Sequence, residues 1–491
     1  MGNYNTLLKQ SPTYQITPVG QELIIIVENE LCVAQETKVK FNLEIFIGDT
    51  SAWTTIGVFK TTPNNKGYGV FNISEIVENY VSSDNLCTEN STFKGNGSAY
   101  LDNFDLHLID KYSMSEYLLR YAIINVSTEY LDNNASSPTY NEIVETQTVL
   151  GGAFEIFDGY VKLTDVLNWG NANYTGAQGF GFSMEDFLIK SGTAKKFLTN
   201  CPSPLYTNSG DYGTLAFLKK HIEFDGTSTT TINDITQIAF EYHQLANGTG
   251  SSLGVEYLPM TAANGAYDGD TDATREKILY VGAYPGNIRA WSSLFRGHLT
   301  ARTMESYTIF GVDAGGSICT EKKIFNINCP TLKGYVPIRL AWINQWGTWD
   351  YYTFTQKSIK TINTSGTTYN QLPGNWNGSA YYPSGYKGGK KTFRVNATEK
   401  ILMNSDFINE ENSTWFEELA NSPEIYILKE WESPTTIGAI SVGTKQALLN
   451  QYSTPVRLTS TTFTKKTVAN DKLIQYTFEV EKSNTNSTAC C

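Results

Sequence analysis

The sequence predicts a mainly β, multi-domain protein of β-sandwich-like architecture with a small C-terminal α+β module. Three observations carry that expectation. Apolar residues recur in short alternating runs. Across 38–46, Val39, Phe41, Leu43 and Ile45 point one way and Lys40, Asn42 and Glu44 the other. That is the period-two pattern of a strand with one wet face. The chain is also rich in aromatics, with 30 Tyr, 24 Phe and 9 Trp, which fit a pleated, half-buried surface. Turn signals separate the runs, as in PNNKG at 63–67.

A chain of 491 residues exceeds what one hydrophobic core supports and predicts about three domains. Its formal net charge of −12 argues against a nucleic-acid grip, because phosphate neutralisation needs clustered Lys and Arg. The short basic runs at 387–391 and 465–466 read as solvated loop or strand edge. No apolar run reaches the ~18–20 residues that span a bilayer, and no basic-then-apolar leader is evident. Synthesis in a cytoplasm is therefore expected. The seven cysteines, at 32, 87, 201, 319, 329, 490 and 491, include no CxxC pair and are odd in number. They read as packed thiols, not a disulfide framework.

In chain order, residues 1–20 with Pro12, Pro18 and Gly20 read as an extended arm. Residues 21–160 read as an N-terminal β-sandwich-like domain, with a short helix near Asn72, whose spacing to Glu75 suits a capping box. Residues 161–360 read as a central β domain with long loops, closed by an aromatic hairpin at 335–356. In that hairpin Trp342, Trp346, Trp349, Tyr351, Tyr352 and Phe354 flank a reversal at 344–348, where Gly347 supplies the positive φ. The hairpin is expected to be the centrepiece of a sheet. Pro337, which has no backbone N–H, places its first strand at a sheet edge.

Residues 361–386 carry Gly366, Pro373, Gly374, Gly378, Pro383 and Gly385 and read as a loop or linker. Residues 387–482 read as the α+β module, built on a helix from Asp406 or Asn409 to Ala420. Glu410 and Glu411 favour the positive end of its dipole, Trp415, Phe416 and Leu419 share one face, and Pro423 stops it. Residues 483–491 read as a polar tail.

Patterns that carry chemistry are sparse. Asp268, Asp270, Asp272 and Glu276 form a candidate calcium loop, because alternating carboxylates offer oxygens to a hard cation. The loop lacks the glycine at the sixth position and the glutamate at the twelfth, so an acidic solvated loop is the stronger reading. His107, His221, His243 and His298 show no metal-ligand spacing. No GxSxG, GxGxxG or P-loop occurs, which leaves acyl transfer, dinucleotide binding and NTP hydrolysis without local support. A spatial carboxylate pair of the glycosidase kind stays open. No catalytic residue is assigned, and calcium is the sole cofactor considered.

Trp376, Tyr381, Tyr382 and Tyr386 are the candidate binding surface, since aromatics bury much area at low entropic cost. Packing back onto their own domain is the alternative. Gly2 fits a loose myristoylation pattern and Cys490 with Cys491 could take lipid, but neither has polybasic support.

Several segments resemble large virion proteins of tailed bacteriophages, of the type found in aquatic and Bacteroidetes-infecting phages. They are GYVPIRLAWINQWGTWDYYTFTQKS (334–358), MNSDFINEENSTWFEELANSPEIYIL (403–428), VRLTSTTFTKKTVANDKLIQYTFEVE (456–481), KILYVGAYPGNI (277–288) and NNKGYGVFNISEIVENYV (64–81). The resemblance implies a β-rich tail, tail-tip or fibre-associated component present in many copies and located in the virion. Its implied partners are other virion proteins, further copies of itself and a host surface receptor or glycan. It brings no active-site signature. The expected function is structural and non-enzymatic, in particle assembly and host attachment. A receptor- or glycan-binding module is the second reading and a glycoside hydrolase the third.

Overall fold

Strand alternation decides the architecture from the first long strand, Thr37–Gly48, where Val39, Phe41, Leu43, Ile45 and Ile47 are all buried. The computed structural model describes residues 4–12, 16–48, 53–87, 104–115, 117–163, 184, 187, 195–219, 221–224, 229–232, 235–261, 278–328, 335–376, 378–409, 411–428, 453–460, 462–464, 474–484 and 486–489. They form a mainly β protein with several separate sheets. Two compact units emerge, one drawn from 1–328 and 344–350, the other from 329–343, 351–434 and 443–491.

The first unit begins as two sheets that share a core. A three-stranded sheet (Leu7–Gln10, Ile24–Glu28, Tyr68–Asn72) contributes Ile25, Val27 and Phe71. A six-stranded sheet containing Thr37–Gly48, Leu119–Leu131 and Val149–Phe157 contributes Phe41, Leu43, Ile124, Val126 and Ile156. A Cβ on Gly69 would lie 2.5 Å from the Phe41 ring, so the glycine lets the sheets close. Asn42, expected to face water, is buried. Its Nδ2 donates to Glu145 Oε1 at 2.9 Å, because the short strand Ile143–Glu145 adds to the sheet.

The same unit continues into a five-stranded sheet (Leu205–Asn208, Gln237–Leu245, Thr249–Pro259, Ser306–Val312, Lys323–Asn328) and a three-stranded one. The latter joins Tyr112–Met114 to Thr214–Leu218 and Ile278–Gly282. A strand from before residue 160 therefore completes a sheet from after it, and no domain boundary falls at 160. Residues 1–20 are likewise no free arm. Leu7–Gln10 pairs with Ile24–Glu28, and Ile16–Pro18 runs parallel to Val149–Phe157. Two helices, Pro285–Trp291 and Ser293–Ala301, were not foreseen; Phe240 meets Trp291, and Tyr242 and Tyr307 meet Phe295.

The reversal of the aromatic hairpin belongs to the first unit. Asn344 Oδ1 accepts from the Trp346 and Thr348 amides at 2.9 and 3.2 Å, while Asn344 Nδ2 and Thr348 Oγ1 both donate to the Leu198 carbonyl. The Trp349 indole N–H donates to the Asp84 carbonyl, and its ring meets His107 edge-on. Gly347 has φ of +69°, and a Cβ there would lie 1.8 Å from the Asp158 carbonyl oxygen.

Among its described residues the second unit is built on an eight-stranded sheet that carries the helix Glu411–Asn421. The strands follow the order Trp349–Phe354, Ile338–Ile343, Ile425–Leu428, Ser453–Leu458, Thr477–Lys482, Gly389–Asn404, Ser358–Gln371, and Asn486–Ala489 pairs with Gly389–Asn404. The hairpin strands thus end this sheet; they neither centre it nor close a central domain. Ile338–Ile343 has neighbours on both sides, and Pro337 lies just outside it, so the missing N–H costs no ladder bond. The supposed polar tail also pairs, Asn486–Ala489 against Arg394–Ala397. The helix Glu411–Asn421 matches the expectation, with Trp415, Phe416 and Leu419 all buried. Its two rings meet Trp342, Tyr352, Phe354, Tyr476 and Phe478.

Gly347→Ala should destabilise the protein by ~2 kcal/mol or more, since it adds left-handed strain to a clash with backbone. Denaturant unfolding measures it, and an unchanged midpoint would contradict the turn geometry.

Candidate functional site

The stretch expected to be a linker is instead part of the longest strand pairing among the described residues. Ser358–Gln371, 14 residues, pairs antiparallel with the 16-residue strand Gly389–Asn404 from Ser358↔Met403 out to Gln371↔Gly389. At ~3.4 Å per residue the pair is about 45 Å long. β-branched and aromatic residues explain it: Ile359, Thr361, Ile362, Thr364, Thr367, Thr368 and Tyr369 all favour extended backbone. Gly366 and the Asn residues are tolerated because solvent lies on both faces there.

Burial runs out along this ribbon. At its root Ile401 and Met403 are buried, and Lys400–Asn404 pairs with Thr477–Glu481. From Thr361 to Asn370 every residue of the other strand is exposed. Ile362, Tyr369, Leu372 and Phe393 are exposed large apolar groups along it.

The ribbon ends in a small hairpin that gathers the four aromatics expected as a binding surface. Gly374–Trp376 pairs with Tyr381–Pro383, with Trp376 opposite Tyr381 and Asn375 opposite Tyr382. Cross-strand partners share a face, so Trp376 and Tyr381 lie on one side and Tyr382 on the other. Trp376 is 68% exposed, Tyr381 45%, Tyr382 58% and Tyr386 76%, which removes packing onto their own unit as the explanation. Tyr381 has a second task, since its hydroxyl accepts from the Gly374 amide at 2.7 Å. Gly374 is required by this closeness: a Cβ would lie 2.1 Å from the Tyr382 carbonyl oxygen. Lys387 Nζ donates to Asn375 Oδ1 at 2.9 Å and sits 5.5 Å from the Tyr386 ring centre.

The other sequence candidates lie elsewhere. Asp268, Asp270, Asp272 and Glu276 fall outside the described residues, as do Gly2, Cys490 and Cys491. Among the described residues no group of three or more His, Cys, Asp or Glu is placed to hold a metal ion. No helix of the described residues is long and apolar enough to cross a membrane. His107 is buried beside Trp349, His243 shares a hydrogen bond with Thr308, and His298 shares one with Thr303. Burial pushes the Cys32 thiol up to about 12 and those of Cys201 and Cys319 up to about 11, so all three stay protonated and unreactive.

Sequence reasoning found the tip aromatics and missed the ribbon that carries them. The missed signal was the β-branched density of 359–369, outvoted by the Gly, Asn and Pro around it. Compared with known proteins, the chain matches no family model and no curated protein sequence.

The exposure of the tip has a direct consequence. Alanine at Trp376, Tyr382 or Tyr386 should each shift unfolding stability by no more than ~0.5 kcal/mol, the range of surface substitutions. Chemical denaturation reads this, and a larger loss at any of the three would mean that its ring is packed.

Proposed function

We propose that this chain is a structural component of a tailed-phage virion, associated with the tail or tail tip, which acts in particle assembly and host attachment. The observation that carries the reading is the long ribbon with its tip of exposed aromatics. A single soluble chain gains nothing from holding four rings in water at the end of a strand pair about 45 Å long. A component that must reach a neighbour does. Large rings with few rotatable bonds are the groups that dominate contact energies between proteins. The segments similar to phage virion proteins include the aromatic hairpin and the helix of the same unit. On this reading the protein has no catalytic task.

A glycan- or receptor-binding role is the second reading, favoured by Trp376 and Tyr381 sharing one face of the tip hairpin. Paired rings of that kind offer a stacking platform for a sugar.

Purified particles of the encoding phage decide between the two. Antibody against the ribbon tip should label a tail structure in electron micrographs, and mass spectrometry should find the chain in stoichiometric amounts. Complementation with Trp376→Ala/Tyr382→Ala/Tyr386→Ala should lower the yield of infectious particles by about tenfold or more. A chain absent from particles, whose glycan-array signal disappears with Trp376→Ala, would overturn the virion reading in favour of the second.

A further inference from the structure

The ribbon is charged against the rest of the molecule. Between Ser358 and Asn404 lie six Lys and Arg (Lys360, Lys387, Lys390, Lys391, Arg394, Lys400) and one acid, Glu399. The ribbon is therefore +5 in a chain of −12, which leaves −17 on everything else. Most of that negative charge is in residues 1–328, where 36 Asp and Glu face 21 Lys and Arg. Of the ribbon cations, Lys400 is neutralised by Glu479 at 3.2 Å, but Lys360, Lys390 and Lys391 have no acidic partner among the described residues.

The ribbon also has an open edge. Ser358–Gln371 is the last strand of its sheet, paired on one side and on the other with nothing among the described residues. Natural edge strands are blunted by proline, repeated charge or bulges. This one has no proline, a single Lys and one register shift, at Thr367/Thr368, which leaves 358–367 regular. Ile359 and Ile362 stand exposed on that regular stretch. The outer part of the ribbon, 368–371 against 389–392, has no third strand among the described residues, and a two-stranded stretch with no covered face is marginal alone in water.

We infer that the ribbon, cationic as a whole, docks through its open edge on a second copy of this chain, against the acidic unit formed chiefly by residues 1–328 of that copy. The inference rests on the assembly reading of the ribbon. Charge selects the partner and also the symmetry. Two ribbons pairing edge to edge would bring +5 against +5, which like-charge repulsion opposes. Ribbon onto acidic body is a head-to-tail contact, and repeated it builds a ring or an open filament. Opposite charge steers the encounter, and the edge hydrogen bonds and exposed isoleucines hold it.

Sedimentation velocity on the purified full chain tests this. Wild type should self-associate in about 0.1 M salt and dissociate in about 1 M salt, as the screening length falls from ~10 to ~3 Å. Lys360→Glu/Lys390→Glu/Lys391→Glu should weaken association about tenfold or more while circular dichroism stays unchanged, and the matching Gln variant should fall between. The salt titration needs no variant to fold. Wild type that stays monomeric at low salt, association indifferent to both salt and charge reversal, or a monomer that instead shifts onto heparin would each overturn the inference. A monomeric chain found in particles would remove this inference alone. Salt-sensitive self-association of a chain missing from particles would uphold it and remove the virion reading.

Discussion

One strand, Gly389–Asn404, is held in a hydrophobic core at one end and bare at the other, and the functional geometry depends on that asymmetry. Ile401 and Met403 are buried in the C-terminal unit, whose core is built from the Trp415, Phe416, Trp342, Phe354 and Phe478 rings. Burying an aromatic of this size contributes ~2–3 kcal/mol, far more than any exposed pair along the ribbon. The root therefore fixes the direction of the strand. The strand in turn carries Ser358–Gln371 and the tip hairpin outward. Stability is supplied by the root and spent at the tip, where the rings meet solvent.

The rest of the molecule is packed in the ordinary way. In the first unit buried polar groups meet backbone, as when Asn344 Nδ2 donates to the Leu198 carbonyl and Asn287 Nδ2 donates to the His107 and Ile109 carbonyls. Burial raises the Cys32, Cys201 and Cys319 thiols, and His107, His243 and His298 sit in hydrogen bonds or against rings. Such groups position backbone; they do not present a reactive centre. What sets the ribbon apart is that Ile359, Ile362, Leu372 and Phe393 are exposed and that Lys360, Lys390 and Lys391 have no acidic partner among the described residues. On the proposed assembly reading, it is the part of the structure that a second molecule would complete.

How much of this was legible in sequence depended on whether one face of a segment was buried. The helix Glu411–Asn421 and the aromatic hairpin were legible because their rings recur at the period of the element that buries them. Thr37–Gly48 was legible for the same reason. The ribbon was not: with both faces wet it needs no alternation, and Gly366, Asn363 and Asn370 read as loop. The helices Pro285–Trp291 and Ser293–Ala301 did carry start signals, Pro285 in the first turn and Ser292, whose Oγ accepts from the Phe295 amide at 2.8 Å. Gly286 and Gly297 obscured them. Charge misled as well, because the basic run at 387–391 read as solvated loop or strand edge within a total of −12, and only the pairing with Ser358–Gln371 adds Lys360 to it.

Hydrogen exchange on the segment 358–371 tests the account most directly. In the isolated chain about half of its amides face the open edge and should exchange fast, while those facing Gly389–Asn404 exchange more slowly. On assembly the fast half should become protected, with the root around Ile401 and Met403 unchanged. Uniformly fast exchange across 358–371 and 389–398 in the isolated chain would show that the ribbon is not formed. An open edge that stays unprotected in the assembled state would show that it is not what makes the contact.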